Sequence, residues 1–395
     1  MLTTVAVQNY RSLQDLVLPL APLTVVTGAN GSGKTGLYRS LQMIAAMARD
    51  GAVGALAAEG GLGSVLYAGP DGARVADRSG RIQGRVGKAP VALRLGFTGE
   101  DLGYAVDFGL PVGAPPGGTK FVQDPEIKNE TIWAAPVLRP STVLVERGGP
   151  LLRARDEDDR GRLQVLHRNL APYRSILTHA IDPVRAPEPV LLADRLREWR
   201  FYDSVRTDRH APARVPRPGT RTPVLASDGS DVAAALQTIL ENGDDQELRA
   251  AVDAAFPGSR VEIAVNDGLF EVQLWQRGVL RPLRAVELSD GTLRYLLWAA
   301  ALLTLRPPEL MVLNEPETSL HPDLLPALGA LIAQAAGRCQ VLVITHARAL
   351  VAGIAAAAEA LDVRTAAAEL IKTDGRTAVA DQGLLDGPSW RWPSR

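Results

Sequence analysis

The chain has 395 residues and a formal net charge of −1; 46% of its residues are hydrophobic and 22% are charged. These values are typical of a globular protein and exclude a disordered or collagen-like chain. Because the net charge is near zero, attraction to nucleic acid would have to come from a local basic patch.

The first 155 residues predict an α/β region. Short apolar runs predict strands before a glycine-rich segment, and apolar residues at helical spacing predict a helix over 35–47. The early strands are expected at 5–7, 17–18 and 23–27. From residue 65 onward, short alternating stretches separated by glycine, proline and aspartate predict an antiparallel sheet. Strands of this sheet are expected at 91–97, 104–108 and 142–146.

Residues 156–258 predict a largely helical middle. Apolar residues recur there at helical spacing, and Pro257-Gly258 is a stop signal at the end of the region. The helices are expected at 163–180, 189–205 and 230–255. The stretch 211–223, rich in proline and arginine, is expected to be an irregular connection.

Residues 259–395 return to an α/β pattern. They open with a hairpin turned by Asn266-Asp267-Gly268, with strands expected at 261–265 and 269–275. Apolar helices are expected at 293–305 and 321–335, and buried strands at 310–313 and 340–345. The sequence therefore predicts three parts, 1–155, 156–258 and 259–395, with an α/β core built from both ends of the chain.

The segment Gly28-Ala29-Asn30-Gly31-Ser32-Gly33-Lys34-Thr35 matches G-x-x-x-x-G-K-[ST] between a predicted strand and a predicted helix. Glycines let backbone N–H groups surround phosphates, and the helix N-terminus adds a positive dipole end. Lys34 is expected to reach the β- and γ-phosphates, and Thr35 to bind Mg²⁺. A glycine-rich turn with an incidental lysine is the alternative, but the flanking strand and helix favour a nucleoside triphosphate site. The residues expected to bind ATP are Asn30, Gly31, Ser32, Gly33, Lys34 and Thr35.

A second motif lies where Asn314 and Glu315 follow the apolar strand predicted at 310–313. Such a strand delivers polar residues to the edge of a parallel sheet where ligands bind. Glu315 is expected to polarise the attacking water as the catalytic carboxylate, and Asn314 to help hold the Mg²⁺ shell. Most P-loop proteins have aspartate where this chain has Asn314, and the asparagine amide brings no negative charge. The alternative is a buried strand followed by an ordinary turn.

A third motif, Leu288-Ser289-Asp290-Gly291-Thr292, precedes the apolar helix predicted at 293–305. Ser289 lies 26 residues before Glu315. Taken alone, a serine at a helix start is an ordinary N-cap. Two segments follow in order: residues 318–322 directly after the acidic motif, and His346 after the strand predicted at 340–345.

In type, order and spacing these motifs resemble those of ABC-type ATPases. The opening Asn9-Tyr10-Arg11-Ser12-Leu13, the phosphate loop and residues 314–322 resemble RecF-like and SMC-like heads, and residues 199–203 resemble stand-alone bacterial ATPases. The resemblance implies an α/β fold, an ABC-type P-loop ATPase head. Such a head has a mixed or parallel core sheet with flanking helices, an antiparallel β subdomain and a helical lobe.

The resemblance also implies roles for single residues. Ser289 and Gly291 would contact the γ-phosphate bound by the opposite subunit, so that ATP joins two copies into a homodimer. His346 would be a catalytic switch histidine near the γ-phosphate, and Arg11 would contribute to nucleotide binding. Here Asp290 departs from the usual Gly-Gly form of the signature. Candidates for the glutamine that links the site to the helical lobe are Gln83 and Gln123.

Residues 194–221 form an arginine-rich stretch, with eight arginines against four acidic residues. Aromatic residues and His210 are interleaved with them; the aromatic residues are Trp199, Phe201 and Tyr202. One interpretation is a nucleic-acid surface, with arginines on phosphates and aromatic rings on bases. The favoured interpretation is an amphipathic helix with its aromatic side chains in the core. Its arginines would pair with Glu198, Asp203 and Asp208.

Three functions are compatible with these patterns. The first is an ATPase that uses ATP and Mg²⁺, dimerises on ATP and acts on DNA in repair or in defence against foreign DNA. The second is a slow, nucleotide-gated module that controls a separate effector protein, which the neutral Asn314 favours slightly. The third is the ATPase subunit of a membrane transporter. The RecF-like opening and the long helical middle disfavour this interpretation.

The expected location is the cytoplasm, without a membrane partner. Cys339 is the single cysteine, which excludes an internal disulfide framework and fits a reducing compartment. The longest apolar stretches, 296–305 and 351–358, are too short to span a bilayer. The first residues lack the pattern of a signal peptide.

Overall fold

The structure is a computed structural model that describes residues 1–67, 92–111, 120–121, 124–156, 161–179, 182–203, 205–383 and 387–394. The helices are α1 (Lys34–Ala58), α2 (Leu62–Val65), α3 (Ile176–His179), α4 (Glu188–Glu198), α5 (Val232–Asn242), α6 (Asp245–Ala255), α7 (Asp290–Leu302), α8 (Leu325–Ala336) and α9 (Arg348–Ala360). The strands are β1 (Leu2–Tyr10), β2 (Leu13–Pro19), β3 (Leu23–Gly28), β4 (Leu93–Gly99), β5 (Leu102–Gly109), β6 (Glu126–Ala134), β7 (Val143–Gly148), β8 (Leu151–Asp156), β9 (Arg162–His167), β10 (Arg200–Asp203), β11 (Arg217–Pro218), β12 (Arg260–Asn266), β13 (Leu269–Trp275), β14 (Leu283–Arg284), β15 (Leu310–Asn314), β16 (Gln340–Ile344), β17 (Thr365–Thr373) and β18 (Arg376–Val379).

These elements form two compact units. The first contains Met1–Leu20, Thr27–Trp199 and Ala368–Arg395, and the second contains Ala21–Val26 and Arg200–Ala367. The boundary passes through β3 and β17, so each of these strands contributes residues to both units. The three-part division at residues 155 and 258 stays a prediction.

The first unit is built on an antiparallel sheet with the strand order β2-β1-β4-β5-β6-β7-β8-β9. Buried and partly exposed side chains alternate along strands such as β7 and β8, which is the pattern of a sheet with one covered face. Helix α1 bends at Gly51, whose φ of 75° is not helical. It packs against α4, where the Arg197 Nε donates a 2.9 Å hydrogen bond to the carbonyl of Ala48. The predicted antiparallel sheet is confirmed.

The second unit contains a parallel sheet with the order β10-β15-β16-β3. Every residue of β16 and the first four of β15 are buried, as is usual for strands of a parallel sheet. Helix α7 is buried from Leu293 to Leu302 and forms part of the same core. Strands β11, β13 and β12, with β14 beside β13, form a small antiparallel sheet, and the β12–β13 hairpin was predicted.

Two helices predicted in the middle of the chain differ from the structure: the one at 163–180 is wrong, and the one at 189–205 is correct only as far as Glu198. Residues 163–180 include β9, which pairs with β8, and only the short α3 is helical. The helix predicted at 189–205 ends at Glu198, since Trp199 is extended and β10 pairs in parallel with β15. In both places, partners distant in the sequence decide the conformation of short apolar segments whose spacing is ambiguous.

The helix predicted at 230–255 is interrupted. It consists of α5 and α6, separated at Gly243, and the Asp244 side chain caps α6 by accepting from the N–H of Glu247 at 2.9 Å. The helix predicted at 35–47 is longer than expected, since α1 continues to Ala58. The remaining helices and strands named from the sequence lie within a few residues of their predicted bounds. Among the described residues, no helix has both the length and the apolar character that a membrane span requires.

Candidate functional site

The phosphate loop joins the end of β3 to the start of α1. Ala29, Asn30 and Gly31 are exposed, so the top of the loop is open to a ligand. Gly33 precedes α1 with a φ of 110°, a value that residues other than glycine rarely adopt. A Cβ at this position would also overlap the Thr377 side chain. The motif glycine at this position is therefore required by the backbone and by its neighbour.

Lys34 is the first residue of α1 and is only 5% exposed. Its ammonium donates to the loop's own carbonyls, at 2.6 Å to Gly28 and 3.0 Å to Ala29. Among the described residues, no carboxylate lies within ion-pair distance of it. Nearby in the chain, the Ser32 hydroxyl is buried without a hydrogen-bond partner in the described part of the structure. Among the described residues the buried cation has only neutral partners and the buried hydroxyl has none. Both groups could therefore bind the oxygens of a phosphate group.

The C-terminal hairpin β17–β18 supports the loop from within the same unit. The Thr377 hydroxyl donates to the carbonyl of Ser32 at 2.7 Å and lies 2.8 Å from the Ser12 hydroxyl. The Thr377 N–H also donates to the carbonyl of Ser12 at 2.9 Å. Thr377 was not predicted, because it lies 343 positions from the lysine of the motif and no pattern marks it.

Arg11, expected to bind nucleotide, forms an ion pair with Glu59 at 2.5 Å. The Tyr10 hydroxyl donates to the same carboxylate at 3.2 Å, and Arg39 lies 3.7 Å from its other oxygen. Arg11 has a left-handed backbone with φ of 51°. Its contribution to nucleotide binding stays a prediction, and Gln83 and Gln123 lie outside the described residues.

The parallel strands of the second unit bring polar residues to one edge. Asp203, Asn314, Ile344 and Val26 occupy one row across β10, β15, β16 and β3, because each pairs with the next in register. Glu315 directly follows Asn314, and His346 lies two residues after Ile344, so the predicted catalytic residues lie just beyond this row. Carboxyl ends of parallel strands are the usual place for ligands in α/β proteins. We call Asp203, Asn314, Glu315, Glu317, Thr345 and His346 the strand-end cluster.

Asn314 does not stand alone in this row. Its Nδ2 donates a 3.0 Å hydrogen bond to Oδ1 of Asp203, which ends the neighbouring strand β10. From the sequence, Asp203 was expected only to pair with nearby arginines, and its contact with Asn314 was not predicted. The 111 positions between the two residues hide the contact, which depends on the pairing of β10 with β15.

Glu315 directly follows the strand and has a left-handed backbone with φ of 47°. Its N–H donates to the carbonyl of Ile344 at 2.7 Å, and its side chain is 40% exposed. His346 Nδ1 lies 3.6 Å from Oε1 of Glu315. The structure therefore brings together the two residues that were predicted to be catalytic, and the carboxylate reaches solvent.

Glu317 is a further member of the strand-end cluster that the sequence analysis missed. It is 8% exposed, and its Oε1 accepts from the Thr345 hydroxyl at 2.6 Å and from the His346 N–H at 3.1 Å. The same oxygen lies 3.2 Å from His346 Nδ1. One buried carboxylate thus joins the segment after β15 to the segment after β16 and holds the histidine. A carboxylate two residues after Glu315 was the only signal in the sequence.

The signature motif begins α7. The Ser289 hydroxyl accepts from the N–H of Thr292 at 3.0 Å, so Ser289 is an N-cap, yet it is also exposed. A Cβ on Gly291 would lie 3.1 Å from the carbonyl of Ser319, in the loop that follows the acidic motif. Helix α7 further contacts that loop through Trp298, whose Nε1 donates to the carbonyl of Pro316 at 2.9 Å. Ser289 therefore caps α7 and at the same time remains exposed, as the signature role requires.

Asp290, the departure from the usual signature, has a partner. The buried guanidinium of Arg214 contacts its Oδ1 at 2.7 Å. Arg214 also donates to the carbonyls of Ala285 at 2.6 Å and Leu288 at 2.8 Å, just before the motif. The aspartate therefore takes part in a network that holds the start of α7, which a second glycine could not do.

The arginine-rich stretch 194–221 follows the packing interpretation for its aromatic residues. Trp199, Phe201 and Tyr202 are buried, so their rings are not available to bases. Arg206 pairs with Asp208 at 2.7 Å, as expected. The expected single helix is replaced by α4 and β10, because β10 pairs with β15.

The donor set fits Mg²⁺ in the manner of a nucleotide site. Among the described residues, no group of three or more histidine, cysteine, aspartate or glutamate side chains could hold a metal by itself. Mg²⁺ at nucleotide sites takes one or two protein oxygens, and phosphates and waters complete its shell. Thr35 offers such a hydroxyl, exposed at the start of α1 in the first unit, and Asn314 offers an amide oxygen in the second. Their joint binding of Mg²⁺ stays a prediction.

Comparison with solved structures finds SMC head domains. The SMC head from Thermotoga maritima aligns with a TM-score of 0.46 and 11% identity, over 97% of this chain and 99% of that one. The Smc head with an extended coiled coil, bound to the C-terminal domain of ScpA derived from Pyrococcus furiosus, aligns with a TM-score of 0.48 and 11% identity, over 96% and 95%. No functional property transfers at such scores.

Comparison with characterised proteins finds the OLD nuclease of Thermus scotoductus (strain ATCC 700910 / SA-01), 46% identical over 44 residues. The matched segment spans 11% of this chain and 8% of that protein. The family described as "AAA domain, putative AbiEii toxin, Type IV TA system" matches residues 23–352, a span with the phosphate loop, the signature and the strand-end cluster. The chain therefore belongs to this family of AAA domains, an ATPase-type family, and it carries a phosphate-loop motif at residues 28–35.

Proposed function

We propose that the chain binds ATP at its phosphate loop and hydrolyses it with Glu315 as the general base. The observation that carries this proposal is the buried Lys34 ammonium, whose partners are the neutral carbonyls of Gly28 and Ala29. Phosphate oxygens would replace these partners with anionic acceptors, which form shorter and stronger hydrogen bonds. Dipoles at the N-terminus of the 25-residue helix α1 add to the attraction for an anion.

The strand-end cluster supports the hydrolytic step. A water oxygen bonds to the γ-phosphorus while Glu315 accepts a proton from that water, and the bond from the phosphorus to the β,γ-bridging oxygen breaks to leave ADP. Glu315 suits this role because it is partly exposed, while His346 beside it is held by the buried Glu317. Mg²⁺, held by Thr35 and Asn314, would neutralise phosphate charge.

We further propose that ATP joins two copies of the chain into a homodimer. Ser289 is exposed at the N-terminus of α7, where a serine hydroxyl and backbone N–H groups suit the γ-phosphate bound by a second copy. A two-fold dimer would then bury two nucleotides, and the dimer fraction would rise with ATP concentration.

Light scattering after size exclusion tests both parts of the proposal. The Glu315→Gln protein should bind ATP and elute as a dimer with Mg-ATP but as a monomer without nucleotide. Adding Ser289→Arg should return it to a monomer, because a bulky cation replaces the hydroxyl that approaches the partner. Ser289→Ala, which removes the hydroxyl without adding bulk, should weaken the dimer less than Ser289→Arg does. A monomer under saturating ATP, or a dimer with Ser289→Arg, contradicts the dimer model.

DNA is the proposed target, in repair or in defence against foreign DNA. The family description, which names a toxin of a toxin–antitoxin system, and the nuclease name of the Thermus protein support this choice. The ATPase rate with single-stranded DNA, with double-stranded DNA and without DNA tests it. A several-fold change of rate with either DNA is expected. An unchanged rate at saturating DNA would favour a separate effector protein as the target.

A further inference from the structure

The pair Asp203–Asn314 has an orientation that the chemistry of the two groups determines. A carboxylate only accepts hydrogen bonds, so the contact at 3.0 Å requires the NH₂ of the Asn314 amide to face Asp203. The amide oxygen of Asn314 consequently points away from Asp203. Asp203 therefore fixes which end of the amide is available to a ligand.

The same pair explains where the missing charge lies. P-loop ATPases usually carry aspartate where this chain has Asn314, and hard cations prefer charged oxygen ligands. In this chain the neighbouring strand carries the carboxylate. It belongs to Asp203 on β10, which is in register with Asn314 on β15. An amide and a carboxylate in hydrogen-bond contact together present one negative charge and one oriented oxygen.

We propose that Asp203 is a positioning residue for the Mg²⁺ of the nucleotide site. By accepting from the amide NH₂ it leaves the amide oxygen of Asn314 available as a ligand, and it supplies the negative charge that Asn314 lacks. This inference rests on the proposed ATP-binding function. It assigns a role in cation binding to the end of β10, a segment that carries no recognised nucleotide motif.

The alternative is that Asp203 only ties β10 to β15. Asp203→Asn separates the two roles, since an asparagine can still bond to the Asn314 amide but brings no charge. Reversing the pair, Asp203→Asn with Asn314→Asp, restores one carboxylate and one amide with the donor and acceptor exchanged. A role limited to strand packing predicts no difference among these variants in the magnesium they require.

The measurement is binding of a fluorescent, non-hydrolysable ATP analogue during a titration with Mg²⁺, with each variant's affinity in EDTA as its own reference. For Asp203→Asn, the Mg²⁺ concentration at half-maximal tightening should rise about 10- to 100-fold, as for other partners that orient metal ligands. The reversed pair should require no more Mg²⁺ than the parent, since its charge and hydrogen bond are restored and residue 314 then offers a charged oxygen. Asp208→Asn, which removes the same charge from an exposed site in the same segment, should match the parent.

The possible outcomes distinguish the inference from the function on which it rests. A parent protein that binds no analogue with or without Mg²⁺ overturns the proposed function and this inference with it. A parent that shows Mg²⁺-dependent binding, together with an Asp203→Asn protein of equal Mg²⁺ requirement, overturns the inference alone. Failure of the reversed pair to recover, when thermal melting shows that it is folded, also overturns it.

Discussion

The phosphate loop and the strand-end cluster are built in different ways. The loop is one continuous segment whose shape follows from its own backbone, with glycine required at Gly33 and a helix beginning at Lys34. The cluster collects side chains from three segments; Asp203 and Asn314 are 111 positions apart, and Glu317 and His346 are 29 positions apart. Local sequence can specify a site of the first kind. A site of the second kind exists only when strands pair in the correct register.

This difference predicts a division of labour, in which the loop determines affinity for ATP and the cluster determines turnover. Variants in the cluster should lower kcat and leave binding intact. Variants in the loop should weaken binding first.

The largest effect is expected for Glu315→Gln. The amide keeps the shape of the side chain and cannot accept the proton, so turnover should fall about 10²- to 10⁴-fold, the usual contribution of a general base. Single-turnover phosphate release measures this, and equilibrium ATP binding within a few-fold of the parent is the internal control. If the variant hydrolyses ATP at the parent's rate, a different group is the base and the cluster has been assigned wrongly.

Lys34→Ala should produce the opposite pattern. Loss of a buried charged partner of the phosphates costs about 2 to 5 kcal/mol, which weakens ATP affinity at least ~30-fold. Calorimetric titration with ATP measures the change. Lys128→Ala, which removes a lysine paired with Glu126 on the antiparallel sheet, should bind ATP like the parent. Equal affinities for the parent and Lys34→Ala would show that the nucleotide binds elsewhere.

Glu317→Ala should lower kcat about tenfold, corresponding to ~1.4 kcal/mol of activation free energy. The physical reason is the loss of the buried acceptor that joins Thr345 and His346, so the histidine is no longer held beside Glu315. Glu317→Gln is the matched control, because its amide oxygen still accepts both hydrogen bonds and most of the rate should return. ATP affinity should not change in either variant. A loss of affinity without a loss of kcat would contradict the division of labour.

The smallest effect is expected for Thr377→Val. The substitution keeps the side-chain shape and removes the hydroxyl that donates to the carbonyl of Ser32. One hydrogen bond contributes ~1 kcal/mol, so ATP affinity should fall about fivefold. Thr377→Ser retains the hydroxyl and should bind like the parent. If both variants bind ATP equally well, the hairpin does not support the loop in the way the contacts indicate.

The sequence by itself was sufficient for the phosphate loop, for the buried strands that became β15 and β16, and for the order of signature, Glu315 and His346. Each motif taken singly depends on neighbours within about ten positions: glycine backbone freedom, apolar runs and helix-start residues. Their order along the chain is read directly from the sequence. The same local spacing misled the prediction at 163–180 and at 200–205. Short apolar segments there obtain their conformation from pairing with β8 and β15.

Tertiary structure alone decided which polar side chains meet. Asp203 beside Asn314, Glu317 beneath His346, Arg214 on Asp290 and Thr377 on the phosphate loop are all contacts between segments far apart in the chain. Hydrogen bonds form over about 3 Å, whereas a shift of one residue in a strand turns each side chain to the opposite face. For Asp203 and Asn314, the register that produces the contact depends on burial of the whole sheet, and no local pattern contains that information.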